Sequence, residues 1–152
     1  MTPDALLNAL SAETTAIGAF VALLGEEQQA LVSGTLDALP ELTERKARAV
    51  AELATLGRER DAQLEVLGYS PDEAGAAAAS ADHARIDTAW KALLAAALDA
   101  KRANETNGML IHTRLTYTQQ ALNVLYGPEK NAPLYGPDGR TTPRSSGGSV
   151  TA

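Results

Sequence analysis

Mostly apolar residues recur at alternating intervals of three and four along three separate stretches of this chain. In the first stretch the spacing holds for four heptads, at Leu7, Leu10, Thr14, Ile17, Val21, Leu24, Gln28 and Leu31. That interval keeps one face of an α-helix apolar, and it is typical of helices that pack side by side. No stretch alternates apolar and polar residues as a half-buried strand would require. The pattern therefore predicts an all-α fold.

The other two stretches extend the same pattern. The second has Leu42, Lys46, Ala49, Leu53, Leu56, Arg60, Gln63 and Leu67; the third has Trp90, Leu94, Ala97, Lys101, Asn104, Gly108, Ile111, Leu115, Thr118, Leu122 and Leu125. Lys46 and Arg60 can lay their aliphatic stems along the stripe and keep their charges in water. At a rise of about 1.5 Å per residue, the third helix would span about 65 Å and the first two about 40–45 Å each. We therefore expect three long antiparallel helices in a coiled-coil-like bundle, with an overlong third helix.

Glycines mark the ends of the predicted helices. Gly34, Gly68 and Gly127 each follow a periodic stretch, where glycine commonly ends a helix. The Ala-rich connector at 74–81 does not show from its sequence whether it is helical. From Gly127 onward the chain is rich in Gly, Pro, Ser and Thr, which predicts a disordered C-terminal tail. The predicted organisation is a helical domain over residues 1–126 and a flexible tail over 127–152.

Charge and composition narrow the classes of function. The net charge is −6, and an acidic body suits neither nucleic acid nor an anionic membrane surface. The chain has no cysteine, which excludes disulfides and thiol sites. The N-terminus lacks the regions of a signal peptide, and no apolar run reaches the roughly 18–20 residues of a membrane span. We expect a cytoplasmic protein that does not bind nucleic acid and does not insert into a membrane.

No arrangement of residues predicts catalysis, a cofactor or a metal. His83 and His112 lie far apart in the sequence, and neither belongs to a Glu-x-x-His pattern. No phosphate-binding loop or nucleophile elbow is present. The neighbouring acids Glu26 and Glu27 are expected on a solvated face. The sequence therefore predicts a protein that is not an enzyme.

Polar and small residues interrupt the apolar stripe of the third helix at Asn104, Asn107 and Gly108. One interpretation is a polar layer or close helix crossing inside the bundle, which would fix the register of the helices. The other is a half-open groove that a helix of another protein completes, with the amides bonding to the incoming chain. The pattern alone does not decide between them.

The tetrapeptide Leu-Tyr-Gly-Pro occurs twice, each time followed by an acid. Residues 125–128 precede Glu129, and residues 134–137 precede Asp138. The first copy ends the third helix, so we expect Leu125 in the stripe and Tyr126 packed at the helix end. The second copy lies in the tail, with no helix to end and no evident core to enter. It predicts a docking peptide for another protein.

Three segments of the C-terminal part resemble the signature of FlgN-type flagellar export chaperones. They are Asn-Gly-Met-Leu at 107–110, Gln-Gln-Ala-Leu-Asn-Val-Leu at 119–125 and Leu-Tyr-Gly-Pro-Asp-Gly at 134–139. The resemblance implies a cytoplasmic type III flagellar export chaperone. Such chaperones bind the C-terminal helical segment of hook–filament junction proteins and prevent their premature assembly or aggregation. They then deliver this cargo to the cytoplasmic domain of the flagellar export gate.

The resemblance also implies roles for individual residues. Docking to the export gate falls on Leu134, Tyr135 and Gly136, and the tail tyrosine of the family matches Tyr135 rather than Tyr126. Cargo binding falls on the third helix, at Asn104, Asn107, Gly108, Ile111, Leu115, Gln119, Leu122 and Leu125. Two alternatives remain: a structural coiled-coil protein that forms homo-oligomers through its third helix, and a metal-carboxylate bundle enzyme. Neither the oligomeric state nor the preferred junction protein follows from the sequence.

Overall fold

The computed structural model describes residues 2–127, 134–135 and 141–142. Its helices are α1 (Asp4–Ser33), α2 (Leu39–Val66), α3 (Glu73–Asp82) and α4 (Ala84–Tyr126), and a short 3-10 helix (Leu36–Ala38) precedes α2. The all-α prediction is confirmed, with α1, α2 and α4 as the three long helices. α4 has 43 residues against 30 in α1, so the third long helix is the overlong one. The Ala-rich connector forms most of α3.

Left-handed glycines lie immediately or shortly after the ends of the long helices, as predicted. The φ angles are 76° at Gly34, 87° at Gly68 and 71° at Gly127. A side chain at any of these positions would strain the backbone, because L-residues rarely adopt positive φ.

The described part of the tail contains two short strands, β1 (Leu134–Tyr135) and β2 (Thr141–Thr142). They pair antiparallel, with Leu134 opposite Thr142 and Tyr135 opposite Thr141. Two residues per strand are too few to change the fold class. The predicted disorder of the rest of the tail lies outside the described residues, as does Gly136.

The chain divides into two compact units, Met1–Ile111 and His112–Ala152. The first unit contains α1, α2, α3 and most of α4, and the second contains the end of α4 and the strand pair. The division falls inside α4, whereas the boundary predicted from composition falls at the end of that helix.

The core of the first unit is built from two apolar clusters. The larger one joins the first half of α1 to the end of α2, to α3 and to the start of α4; its buried members are Leu6, Leu10, Ile17, Leu64, Ala76, Ala79, Ile86, Trp90 and Leu93. The smaller one joins the second half of α1 to the start of α2 through Leu23, Ala30 and Leu42. Because each fully buried Leu or Ile contributes about 1.5–3 kcal/mol, these clusters supply most of the stabilisation of the unit.

The buried stripe of α1 differs from the predicted one at alternate positions. Leu10, Ile17, Leu24 and Leu31 are buried as predicted. At the alternate positions, the predicted Leu7, Thr14 and Val21 are only half-buried and Gln28 is exposed. Leu6, Glu13 and Glu27, each one residue before a predicted position, are buried instead. The prediction followed one edge of a wide face, because α1 packs against more than one helix and not against a single partner.

α1 is also long and apolar enough to cross a membrane, by length and composition only. The predicted absence of an uninterrupted apolar run of that length still holds, because Glu13 and Glu26 interrupt the apolar residues of α1. Its buried leucines and two buried glutamates nevertheless contact neighbouring helices, which is how the core helix of a folded bundle behaves.

The turn that leads into α3 requires glycine at residue 75. The side chain of Asp72 caps α3 by accepting a hydrogen bond from the Gly75 amide at 2.8 Å. Ser70 in turn donates to the Asp72 carboxylate at 2.6 Å. A Cβ atom at residue 75 would overlap the carbonyl oxygen of Ser70, so nothing larger than glycine fits without moving the backbone.

We predict that Gly75→Ala lowers the free energy of unfolding by at least about 2 kcal/mol, because the turn has to open. Gly18→Ala is the matched control, since a Cβ there has no neighbour within 4 Å. It should raise stability by up to about 1 kcal/mol through helix propensity. Urea unfolding followed by circular dichroism measures both, and equal effects of the two substitutions would contradict the described turn.

Candidate functional site

An ion pair inside the first unit joins α1 to α2 and contacts α4. Arg60 of α2 donates from Nη1 to Oε1 of Glu13 on α1 at 2.7 Å, and from Nε to Asp61 at 3.1 Å. Its guanidinium lies over the ring of Trp90 on α4, 5.7 Å from the ring centroid. The expectation that Arg60 keeps its charge in water is therefore wrong: the charge is largely covered and is balanced by a buried carboxylate.

A second ion pair repeats this arrangement two heptads further along α1. Lys46 of α2 donates to the Glu27 carboxylate at 3.0 and 3.1 Å. Asn107 of α4 donates from Nδ2 to the same carboxylate at 2.9 Å and to the backbone oxygen of Leu24 at 2.8 Å. Glu27 is thus buried, and its predicted place on a solvated face is wrong. Glu26 beside it is exposed and pairs with Arg45.

The same contacts decide between the two interpretations of Asn107. Its side chain is only 1% exposed and is hydrogen-bonded within the chain. The structure therefore favours the internal polar layer over an open groove at this position, and it removes Asn107 from the surface that a partner could contact. Its neighbours Asn104 and Gly108 are exposed.

The sequence contains a signal for these two ion pairs in the spacing of their charges. Glu13 and Glu27 are two heptads apart on α1, and Lys46 and Arg60 are two heptads apart on α2. In an antiparallel pair of helices, equal spacing of acids and bases allows both pairs to form in one register only. The two equal spacings predict the pairs, whereas each acid taken alone has the pattern of a surface residue.

Glu13 carries the one buried side-chain oxygen without a hydrogen-bond partner among the described residues, Oε2. Burial raises the pKa of the Glu13 carboxyl above its ordinary value of 4.5, and the Arg60 guanidinium opposes that shift without cancelling it. Burial prevails because water no longer solvates the free oxygen.

In the second unit, the end of α4 exposes an apolar surface. We call Leu115, Leu122 and Leu125 the C-terminal stripe; their exposed fractions are 65%, 44% and 75%. Intervals of seven and three residues place them on one face of the helix. Gln119 is exposed beside them and donates to Asn123 at 3.3 Å. Ile111, the last residue of the first unit, is exposed as well.

The composition around the C-terminal stripe differs from the rest of the chain. From Thr106 to Tyr126 the sequence contains no acid, and its only basic residues are His112 and Arg114. The remaining positions are apolar, amide, hydroxyl or glycine. This surface therefore suits a partner that is itself apolar and weakly charged.

The predicted docking residues Leu134 and Tyr135 form β1, so their backbone is extended and paired with β2. At the end of α4, by contrast, Leu125 is exposed and Tyr126 is 77% exposed. The expectation that Tyr126 packs at the helix end is wrong, because no described side chain covers it.

The described residues contain no group of three or more His, Cys, Asp or Glu side chains that could hold a metal ion. His83 closes α3, and its amide donates to the carbonyl of Ala79 at 3.0 Å. His112 is exposed on α4.

The FlgN protein family matches residues 1–143 of the chain, which includes α4 and the strand pair. The chain belongs to the FlgN family. Two curated proteins of Salmonella typhimurium (strain LT2) and Salmonella typhi, each called "Flagella synthesis protein FlgN", are 28% identical to it over 137 residues. The similarity covers 89% of this chain and 89% of each relative. No solved structure is significantly similar to the chain.

We predict that Glu13→Gln changes how stability depends on pH. The folded state holds the Glu13 proton to a higher pH than the unfolded state does. From pH 4.5 upward, ionisation of Glu13 therefore lowers the stability of the wild type relative to a chain that is neutral at residue 13. The effect of Arg60 on the ionised carboxylate is already part of the pKa of Glu13. Exchanging the neutral carboxyl for an amide adds an offset that does not depend on pH, so the test is whether the difference falls with pH and not whether it is positive or negative.

The measurement is the free energy of unfolding in urea for both proteins from about pH 4 to pH 8. The wild-type value minus the Glu13→Gln value should fall as the pH rises, and then level off. A difference that stays constant or grows with pH would show that the folded chain does not raise the pKa of Glu13.

Proposed function

We propose that this FlgN-family protein is a cytoplasmic type III flagellar export chaperone. It binds the C-terminal helical segment of hook–filament junction proteins, prevents their premature assembly or aggregation, and delivers them to the export gate. Family membership and the names of the two Salmonella relatives support the general role in flagellar assembly. The exposed C-terminal stripe of α4 is the observation that carries the chaperone mechanism.

The C-terminal stripe fits the helix of a partner in size. From Leu115 to Leu125 the helix advances about 15 Å, which is close to three turns. An amphipathic helix laid along it would present its own apolar residues at intervals of three and four. Gln119 and the hydroxyl groups nearby can bond to polar side chains at the edge of such a contact.

The exposed apolar area of the stripe sets the energy available for capture. Because Leu115, Leu122 and Leu125 are only partly exposed, burying them completely yields roughly 3–6 kcal/mol, before the loss of translational and rotational freedom is subtracted. The partner helix buries a comparable apolar face of its own, so the gross gain is about twice that of one side. The proposed cargo contact is therefore stronger than a contact through one short peptide.

Docking to the export gate is assigned to Leu134, Tyr135 and Gly136. Burying one Leu and one Tyr yields a few kcal/mol at most, and ordering the segment subtracts from that. The affinity of the motif alone should thus be weak, near millimolar. Weak docking suits a delivery step, because chaperone and cargo together make two linked contacts with the gate and gain avidity.

The same C-terminal stripe would also suit a second copy of the chain, as in a structural coiled-coil protein. Sedimentation of the purified chain, with and without a junction-protein segment, separates the two functions. A chaperone should give a one-to-one complex with the segment, whereas a structural protein should form homo-oligomers that the segment does not change.

We predict that Leu115→Glu lowers the affinity for the C-terminal segment of a junction protein at least about tenfold, because it places a charge in an apolar contact. Helicity by circular dichroism should not change, since Leu115 is exposed in the folded chain. Val124→Glu is the matched control, because Val124 is also exposed but lies two residues from Leu122 and faces away from the stripe. If both variants bind the segment as the wild type does, the stripe is not the cargo site.

We predict that Tyr135→Ala weakens binding of the full-length chain to the cytoplasmic domain of the gate much more than Tyr126→Ala does. Deleting residues 127–152 should abolish this binding and leave helicity and cargo binding intact. Pull-down with the gate domain and circular dichroism measure these effects. Equal losses for the two tyrosine variants, or loss of helicity on truncation, would contradict the assignment.

A further inference from the structure

The first Leu-Tyr-Gly-Pro copy, at the end of α4, exposes two large apolar side chains that are not needed to end the helix. Leu125 and Tyr126 are both exposed, and α4 ends at Tyr126 with Gly127 in the left-handed conformation. Ending the helix accounts for Gly127, and Pro128 commonly follows such a glycine. Ending the helix requires neither the exposed Leu125 and Tyr126 nor the acid Glu129. The second copy repeats all three, as Leu134, Tyr135 and Asp138.

We propose that the first copy is a second docking peptide for the export gate, and that it binds the same pocket as Leu134 and Tyr135. This inference rests on the proposed function, since it takes the docking of the second copy as its starting point. The occupant of the pocket is identified by the repeat itself: both copies offer the same four residues and a following carboxylate, and so the same apolar Leu-Tyr pair.

The two copies differ in backbone conformation, and this difference sets their relative strengths. Leu134 and Tyr135 are extended in β1, whereas Leu125 and Tyr126 form the last turn of a helix. A pocket that fits the extended backbone of Leu134 and Tyr135 does not fit a helical turn. The first copy therefore binds this pocket only after the last turn of α4 has unwound. No buried side chain is lost when it does, because residues 121–126 are all exposed. Terminal turns of this kind open at small cost, so the first copy is weaker than the second but not inactive.

Leu125 also belongs to the C-terminal stripe. A cargo helix that covers Leu125 therefore holds the last turn of α4 in place and keeps the first copy from the gate. Docking through the first copy is a property of the chain without cargo, and the test is made without cargo for that reason.

Two peptides that compete for one pocket add their association constants. If the first copy is about tenfold weaker than the second, Tyr126→Ala alone lowers the total affinity by only about 10%. The contribution of the first copy is visible only when the second is disabled, so the informative measurements are made in a Tyr135→Ala background.

The experiment titrates the purified cytoplasmic domain of the gate into the full-length chain, and follows the chemical shifts of the chain by NMR because millimolar affinities are expected. The chains are the wild type, Tyr135→Ala, Tyr135→Ala with Tyr126→Ala, and Tyr135→Ala with Tyr117→Ala. Tyr117 is the matched control: it is 74% exposed on the same helix but is not followed by Gly-Pro and an acid.

We expect Tyr135→Ala to bind about tenfold more weakly than the wild type, and Tyr126→Ala to reduce that remaining affinity at least about fivefold further. Tyr117→Ala should leave it within about twofold. The inference is overturned if Tyr135→Ala has no remaining affinity, or if that affinity survives Tyr126→Ala. If the wild type does not bind the gate domain, the proposed docking function fails and this inference fails with it.

Discussion

Two ion pairs with buried carboxylates fix the register between α1 and α2 in the first unit. Glu13 pairs with Arg60 and Glu27 pairs with Lys46, and the equal two-heptad spacing on α1 and α2 lets both form in a single antiparallel register. Removing one partner of a buried pair typically costs about 3–5 kcal/mol, because the other charge is left uncompensated. Ala-rich helices pack closely and could slide along each other, so this penalty supplies a specificity that the apolar side chains do not.

Each ion pair also contacts α4. Trp90 lies against Arg60, and Asn107 bonds to Glu27 and to the backbone of α1. Asn107 is the last buried side chain of α4 among the described residues. From Gly108 to Tyr126 no described side chain of the helix is fully buried, although the stripe of leucines continues. Apolar residues that do not contribute to the described core are the physical basis for proposing a partner helix.

The sequence predicted the helices well, because their signals are local. Heptad spacing marked the three long helices, and Gly34, Gly68 and Gly127 marked their ends. The buried acids were missed for a different reason. Burial of Glu13 depends on Arg60, which is remote in sequence, and a charged residue taken alone is normally at the surface. The predicted stripe of α1 was likewise too narrow, because a helix that packs against more than one neighbour buries a wider face.

Only part of the candidate site follows from the sequence. Leu115, Leu122 and Leu125 were placed on one helix face from their spacing alone. The sequence allows two interpretations of Asn107, because spacing does not show whether a polar layer is closed by the chain itself or by a partner. Tyr126 was expected to pack at the helix end, but a terminal turn has few neighbours and the ring remains exposed. The roles of the stripe and of the tail in binding stay predictions.

Hydrogen exchange of the full-length chain, with and without the C-terminal segment of a hook–filament junction protein, tests the central claim most directly. A partner helix on the C-terminal stripe should slow the exchange of backbone amides from Gly108 to Tyr126, where no described side chain is now fully buried. Exchange in α1 and α2 around the two ion pairs should not change. Slower exchange in α1 and α2 instead, or no change anywhere in α4, would contradict the account.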